Sequence, residues 1–389
     1  MTWEQVVSIL ALLLALVAVV VGAVALNRLG KARQRGRAVP SAEAATSAQT
    51  GAPPSAPPAI VINPTKTADV EALRTLAREL CTELAMPEPL WWETTVDDPG
   101  YGQARDALAR GASVVIAAGG DGTVRAVASA LAGTRTPMGL LPLGTANLLA
   151  RNLDLPPDGT ARSLLTTALT GTDRPIDLGW LRPVRLQPPE PIDDDGSPSS
   201  PGTDSTTSST GGGLEEHLFL VMAGVGFDAA MVAGAGEQLK ARMGWSAYFV
   251  AGAKHLHGRK VRLEMRIGDD PPRPLKLRTL LFANCGRLPG GIVLLPDAEI
   301  DDGWLDIAAI DTRGGLIGWA SLLGKVVMQG VGVRRQLPGQ PGSIEFWRAR
   351  QVEVRCEQPG PIQVDGDLIG EAIGLHVRIQ TGGLTVRTR

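Results

Sequence analysis

The chain has 389 residues, 44% of them hydrophobic, and its 38 basic and 40 acidic side chains leave a net charge of −2. That length and apolar content allow two folded domains with real cores, and the charge balance gives no electropositive footprint for nucleic acid. Cys81, Cys285 and Cys356 are odd in number and lack ligand spacing, so they read as reduced thiols and exclude a disulfide framework or a zinc site.

In chain order, the first feature is an uncharged run from Val6 to Leu26, long enough to cross roughly 30 Å of hydrocarbon. Arg28, Lys31, Arg33, Arg35 and Arg37 follow it. By the positive-inside rule this predicts a single-pass anchor over 1–28, with the bulk of the chain on the cytoplasmic side of the cell membrane. A cleaved signal peptide would carry its basic residues before the apolar run. Residues 29–58 are basic and then Ala/Pro-rich, with no periodic apolar face, which reads as a flexible linker.

Strands and helices then alternate. Ala59–Ile62 is an apolar strand followed by the turn Asn63-Pro64-Thr65-Lys66. Asp69 to Leu84 is an amphipathic helix, 91–95 a second strand ending in Thr94-Thr95, and Tyr101 to Arg110 a second helix. The run Val114–Ala118 is a third strand, then come Gly119-Gly120-Asp121-Gly122-Thr123 and an Ala-rich helix to Leu131. Met138–Leu141 is a fourth strand, and its turn reads Pro142-Leu-Gly144-Thr145-Ala-Asn147. This alternation predicts a doubly wound parallel sheet over 59–180, with ligand at the carboxyl ends of the strands, where all four turns converge.

Strand, glycine turn and helix together aim backbone N–H groups at an anion. Asp121 among the glycines would repel bound phosphates unless a cation bridges them, so the pattern points to a magnesium-bound nucleotide. Thr145 reads equally as a ligand or as a plain N-cap.

From 181 to 389 short strand-like runs predict a second, mostly antiparallel β-sandwich domain: 217–223, 259–267, 275–283, 304–310, 351–355, 361–364 and 374–387. Residues 183–213, rich in Pro, Ser, Thr, Gly and Asp, read as a disordered insert between two strands. Gly224-Val-Gly-Phe-Asp228 imitates a dinucleotide fingerprint but lacks a following βαβ unit. The apolar segment 244–253 reads as core or as one wall of a lipid-sized pocket, and His255 and His257 as a surface pair.

The ordered set Asn63-Pro64, Gly119-Gly-Asp-Gly-Thr123, Leu141-Pro-Leu-Gly-Thr-Ala-Asn147, Arg174-Pro-Ile-Asp-Leu-Gly179, Gly224–Asp228, Asp301-Asp-Gly-Trp-Leu-Asp306 and Gln363-Val-Asp-Gly-Asp367 resembles the diacylglycerol kinase catalytic-domain family. The resemblance implies ATP over Gly119–Thr123, with Asn63, Thr95 and Thr145 contributing and Thr94 as the alternative to Thr95. It implies that Asp121 helps hold a catalytic Mg²⁺ and that Asp177 extends that acidic network. It also implies a structural magnesium at Asp302 with backbone oxygens of Glu299 and Trp304, and a general base from Asp365-Gly366-Asp367. At position 367 the family usually carries Glu; here it is Asp. Taken alone, Asp365-Gly366 is the commonest hairpin signal. The implied activity is ATP-dependent phosphorylation of diacylglycerol or a related membrane lipid, and the family's habit of pairing through its β domain implies a homodimer. Two other readings stand beside it: a catalytically weak, membrane-tethered nucleotide or lipid sensor, and an NAD kinase, which shares the Gly-Gly-Asp-Gly turn.

Overall fold

Residues 56–156, 159–187, 215–226, 260–288, 293–312 and 342–389 are described by the structure, a computed structural model. The expected membrane segment 6–26, residues 29–55 of the linker, residues 188–213 of the insert, Phe227 and Asp228, the segment 244–253 and His255 and His257 all lie outside them. Among the described residues no helix is long and apolar enough to cross a membrane.

Period-two alternation builds the first layer. In β1 (Ala59–Ile62) and β3 (Val115–Gly119), Ile60, Ile62, Ile116 and Ala118 pack on one face with Ala77, Leu80 and Leu165. Ala59, Val61, Val115 and Ala117 pack on the other with Val127, Leu131 and Met138. Both faces are covered, as a parallel sheet requires. The helix α1 (Val70–Glu83) starts at Asp69, whose carboxylate accepts the Ala72 N–H at 2.8 Å. β2 (Leu90–Glu93) and α2 (Tyr101–Ala109) follow, then α3 (Asp121–Leu131) after β3. β4 (Met138–Pro142) leads into the short α4 (Leu148–Asn152). The next helix, α5 (Ala161–Thr170), has no counterpart in the sequence reading; Thr160 caps it by accepting the Ser163 N–H at 3.2 Å.

These strands lie in the order β4-β3-β1-β2, all parallel. Their carboxyl ends therefore share one edge of the sheet, and hydrogen bonds tie the turns there together. Asn63 N–H donates to Ala118 O (2.8 Å), Thr94 N–H to Ile62 O (2.8 Å) and Leu143 N–H to Gly119 O (2.9 Å).

The remaining strands are mostly antiparallel. They are β5 (Thr172–Gln187), β6 (His217–Phe219), β7 (Met222–Gly226), β8 (Val261–Ile267), β9 (Arg273–Leu277), β10 (Thr279–Ala283), β11 (Leu305–Thr312), β12 (Gly342–Ala349), β13 (Gln351–Val364) and β14 (Asp367–Thr388). They carry their own core, including Phe219, Phe282, Ile307, Val354, Ile362 and Leu375. Val386 of β14 pairs in parallel with Met138 of β4, so hydrogen bonding runs unbroken from β2 to β12.

Three sequence expectations shift. The insert begins later than residue 183: Pro183, Val184, Leu186 and Gln187 extend β5 and pair with Leu375, Gly374, Ala372 and Glu371 of β14. Pairing with a long neighbour overrides the local Pro-rich composition. The runs 351–355 and 361–364 are one strand with irregular register between Arg355 and Gly360. The strand β12 lies outside all of the predicted runs.

Candidate active site

Two glycine loops meet at the sheet's carboxyl edge. A Cβ on Gly144 would lie 2.6 Å from the Gly120 Cα, closer than any side chain allows, so the loops touch backbone to backbone. Asn147 locks the second loop from inside: its Oδ1 accepts the Gly144 N–H (3.0 Å) and its Nδ2 donates to Gly144 O (2.7 Å). This internal ring holds Asn147 in the left-handed region (φ 46°) and buries it.

Asp121 opens α3, next to an N-cap glycine that offers no side chain to the first-turn N–H groups. Its carboxylate reaches across to the second loop. Oδ2 accepts the Asn147 N–H (3.0 Å) and Oδ1 the Leu148 N–H (2.6 Å), so one acid staples the two loops through the start of α4. Burial pushes its carboxyl up to about 6; the Leu148 N–H works against the shift and the charge of Asp365 adds to it. Asp121 and Asp365, far apart in sequence, therefore sense each other's charge.

Gly122, Thr145, Thr65 and Lys66 are exposed around this edge, and Pro64 is half-buried. Asn63 Oδ1 accepts from the Thr65 N–H (3.0 Å) and hydroxyl (2.8 Å), which caps the short 3₁₀ turn. Thr123 is buried within α3. Of the two threonines after β2, Thr94 is buried and Thr95 is exposed, its hydroxyl accepting the Asp98 N–H at 3.1 Å.

The third component is the β13–β14 hairpin. Asp365 (φ 47°) and Gly366 (φ 88°) are both left-handed, which makes the two-residue turn that Asp-Gly favours. The Asp365 carboxylate accepts backbone N–H groups of Leu220 (2.8 Å), Val221 (2.9 Å) and Met222 (3.0 Å), fixing the hairpin to the bend between β6 and β7. Burial raises its pKa, opposed by Arg125 and by those N–H groups. Asp367 is more open, its side chain 58% exposed, and its Oδ2 accepts from Arg125 Nη2 at 2.6 Å. Arg125 also donates to Val364 O at 2.5 Å. The sequence reading missed Arg125, though a signal existed: it stands four residues after Asp121, on the same face of α3.

The residues expected around a structural magnesium are engaged otherwise. Asp177 is buried, with Oδ2 accepting the Gly303 N–H (2.6 Å) and Oδ1 the Gly382 N–H (2.7 Å). It clamps β5 to the 301–303 turn and to the register irregularity of β14 at Gly382, and Asn284 closes the same knot by donating to Asp177 O at 2.8 Å. Asp302 accepts the Trp304 N–H (3.0 Å) and is ion-paired with Arg348. The same guanidinium bonds Asp306 at 3.2 Å, and it lies 5.9 Å from the centre of the Trp304 ring. Glu299 is exposed. A guanidinium thus supplies the positive charge among these acids. Among the described residues no group of three His, Cys, Asp or Glu forms a metal cage. Nothing near 302 in sequence signals Arg348, which arrives from β12.

The diacylglycerol kinase catalytic domain matches residues 58–181, and the YegS C-terminal NAD kinase beta sandwich-like domain matches 221–388. A Pseudomonas aeruginosa protein named "Probable lipid kinase YegS-like" is 30% identical over 326 residues, covering 82% of this chain and 88% of its own. Its Pseudomonas putida namesake is 32% identical over 291 residues, covering 71% and 80%. A diacylglycerol kinase crystal structure from Bacillus anthracis shares the fold, with a TM-score of 0.56 over 86% of this chain and 97% of that one, at 14% identity. The chain belongs to the diacylglycerol kinase catalytic-domain family of lipid kinases.

Proposed function

We propose that this protein transfers the γ-phosphoryl group of ATP, with magnesium, to the hydroxyl of diacylglycerol or a related membrane lipid. One observation carries the proposal: Asp121, Asp365 and Asp367, with Arg125 among them, converge from segments about 240 residues apart onto the edge where the two glycine loops meet. The carboxylates fit a metal that arrives with its nucleotide, since magnesium in phosphoryl-transfer sites takes one or two protein carboxylates and completes its shell with phosphate oxygens and water. Asp121 would hold it, with Asp365 adding negative charge behind. Bound there, magnesium would neutralise charge developing on the transferred group.

The chain's own residues do the rest. The open N-terminus of α3 and the exposed backbone at Gly122 receive the phosphates. Asn63, Thr95 and Thr145 border the nucleotide on neighbouring turns. Asp367, exposed beside the loops, orients the lipid hydroxyl and accepts its proton as the oxygen–phosphorus bond forms and the bond to ADP breaks. The basic residues after the apolar run 6–26 support an anchor that keeps the site at the cytoplasmic leaflet.

The test is radiolabelled ATP offered to the purified protein with diacylglycerol in mixed micelles, with and without magnesium. Labelled phosphatidic acid formed only with magnesium is the expected result. If neither diacylglycerol nor a total lipid extract accepts label, the proposal fails.

A further inference from the structure

The guanidinium of Arg125 has two partners on the hairpin, Val364 O at 2.5 Å and Asp367 Oδ2 at 2.6 Å. It is mostly enclosed, its side chain 23% exposed, whereas Asp367 is 58% exposed. An ion pair between two mobile surface side chains contributes little. Here one partner is rooted on a helix packed in the core, through Val124, Val127 and Ala128. It grips the backbone one residue before the turn and the side chain one residue after it. Left alone, Asp367 at a hairpin end would sample several χ1 rotamers.

The carboxyls nearest Arg125 are already held by other means: Asp121 by Asn147 and Leu148, and Asp365 by the bend at 220–222. Among the described residues, His217 on β6 also senses Arg125: its pKa is lowered by burial first, raised in part by Glu215 and lowered in part by Arg125. Asp367 is the acid whose direction depends on the arginine.

We infer that Arg125 is a positioning residue: through its two-point grip on the hairpin it holds the Asp367 carboxylate in the orientation from which it meets the acceptor hydroxyl. The inference rests on the lipid kinase reading above. It assigns α3 a second duty, because the helix that receives the phosphates at its first residue also aims the base one turn later. Nucleotide and base are then set by one rigid body, and distance between them is fixed by helix geometry.

The experiment is a kinetic cycle on the full chain: wild type, Arg125→Met, Arg125→Lys, Asp367→Asn and the Arg125→Met/Asp367→Asn double variant, each checked by thermal melting. Arg125→Met should lower kcat about a hundredfold while the KM for ATP stays within about twofold, because orientation is lost and nucleotide binding is not. Arg125→Lys, with charge but a single point of contact, should fall between. Adding Arg125→Met to Asp367→Asn should cost nothing further, since a residue acting through another has no effect once that other is gone. A rise in KM for ATP at constant kcat would make Arg125 a phosphate ligand and overturn the inference. An equal loss in both backgrounds, or unchanged kcat in Arg125→Met, overturns it too. If Arg125→Met does not melt cooperatively, Arg125→Lys takes its place in the cycle. Wild type that phosphorylates no lipid refutes the function itself, whereas active wild type with indifferent variants refutes only the role of Arg125.

Discussion

Gly144 and Asp306 show how single atoms decide local outcomes. At Gly144 a methyl group would meet the Gly120 backbone, which cannot rotate away as a side chain could. Gly144→Ala should therefore separate the loops, lower the melting temperature by the equivalent of about 1–3 kcal/mol and weaken ATP binding; calorimetry and a melt together check it, and unchanged values in both would contradict the contact. Asp306 is buried with its Oδ2 unpartnered, and burial raises its carboxyl to about 6 despite Arg348, with Asp302 and Asp297 pushing the same way. An acid whose folded pKa exceeds its unfolded one holds its proton longer in the folded chain. Its contribution favours folding at low pH and is lost as the pH rises from about 4 through about 6. Asp306→Asn should accordingly shift the melting temperature more favourably at pH 8 than at pH 4.5. A more favourable shift at pH 4.5 would contradict that sign.

At the scale of elements, the β13–β14 hairpin separates two acids that look alike in sequence. Asp365 satisfies the N–H groups of Leu220, Val221 and Met222, so it holds the β6–β7 bend to the hairpin. Asp365→Ala would leave those donors without their acceptor and should destabilise the fold by about 3 kcal/mol or more. Asp367→Asn changes an exposed side chain and should leave denaturant unfolding nearly unchanged while lowering kcat about a thousandfold. Equal unfolding midpoints for the two variants would contradict this division. The clamp at Asp177 belongs to the same class: it joins β5, the 301–303 turn and the irregularity of β14 at Gly382, so loss of its carboxylate is a structural injury first.

Among the described residues, one hydrogen-bonded path links β2 to β12, and β14 joins its two parts, pairing with β13, β5 and β4. β5 branches off that path, and its upper part, Pro183 to Gln187, pairs with β14. Removing residues 183–213 should thus cost several degrees of melting temperature, because paired strand residues go with them, while trimming only 190–210 should not; equal losses would contradict the extended strand. The cation within the Asp302–Asp306 turn region also acts at this scale, since Arg348 ties β11 to β12. Magnesium or EDTA, without nucleotide, should leave the melting temperature of the wild type unchanged, and a magnesium-dependent shift would show a metal where the guanidinium stands.

The sequence by itself determined the alternation of strands and helices from 59 to 142, the glycine loops and the acid within them, and the Asp-Gly hairpin. Each of these is encoded by neighbours along the chain: side-chain period, turn chemistry, positive φ. What Asp121, Asp177 and Asp302 actually touch was decided by tertiary structure alone, for a carboxylate looks the same in sequence whether it faces a metal, a backbone N–H or an arginine. Arg125 and Arg348 were hidden for the same reason: their partners stand 242 and 46 residues away, and only the closing of the sheet brings them within reach. The strand β12 and the end of β5 likewise depend on partners across the sheet, because strand pairing is a long-range interaction that local composition does not encode.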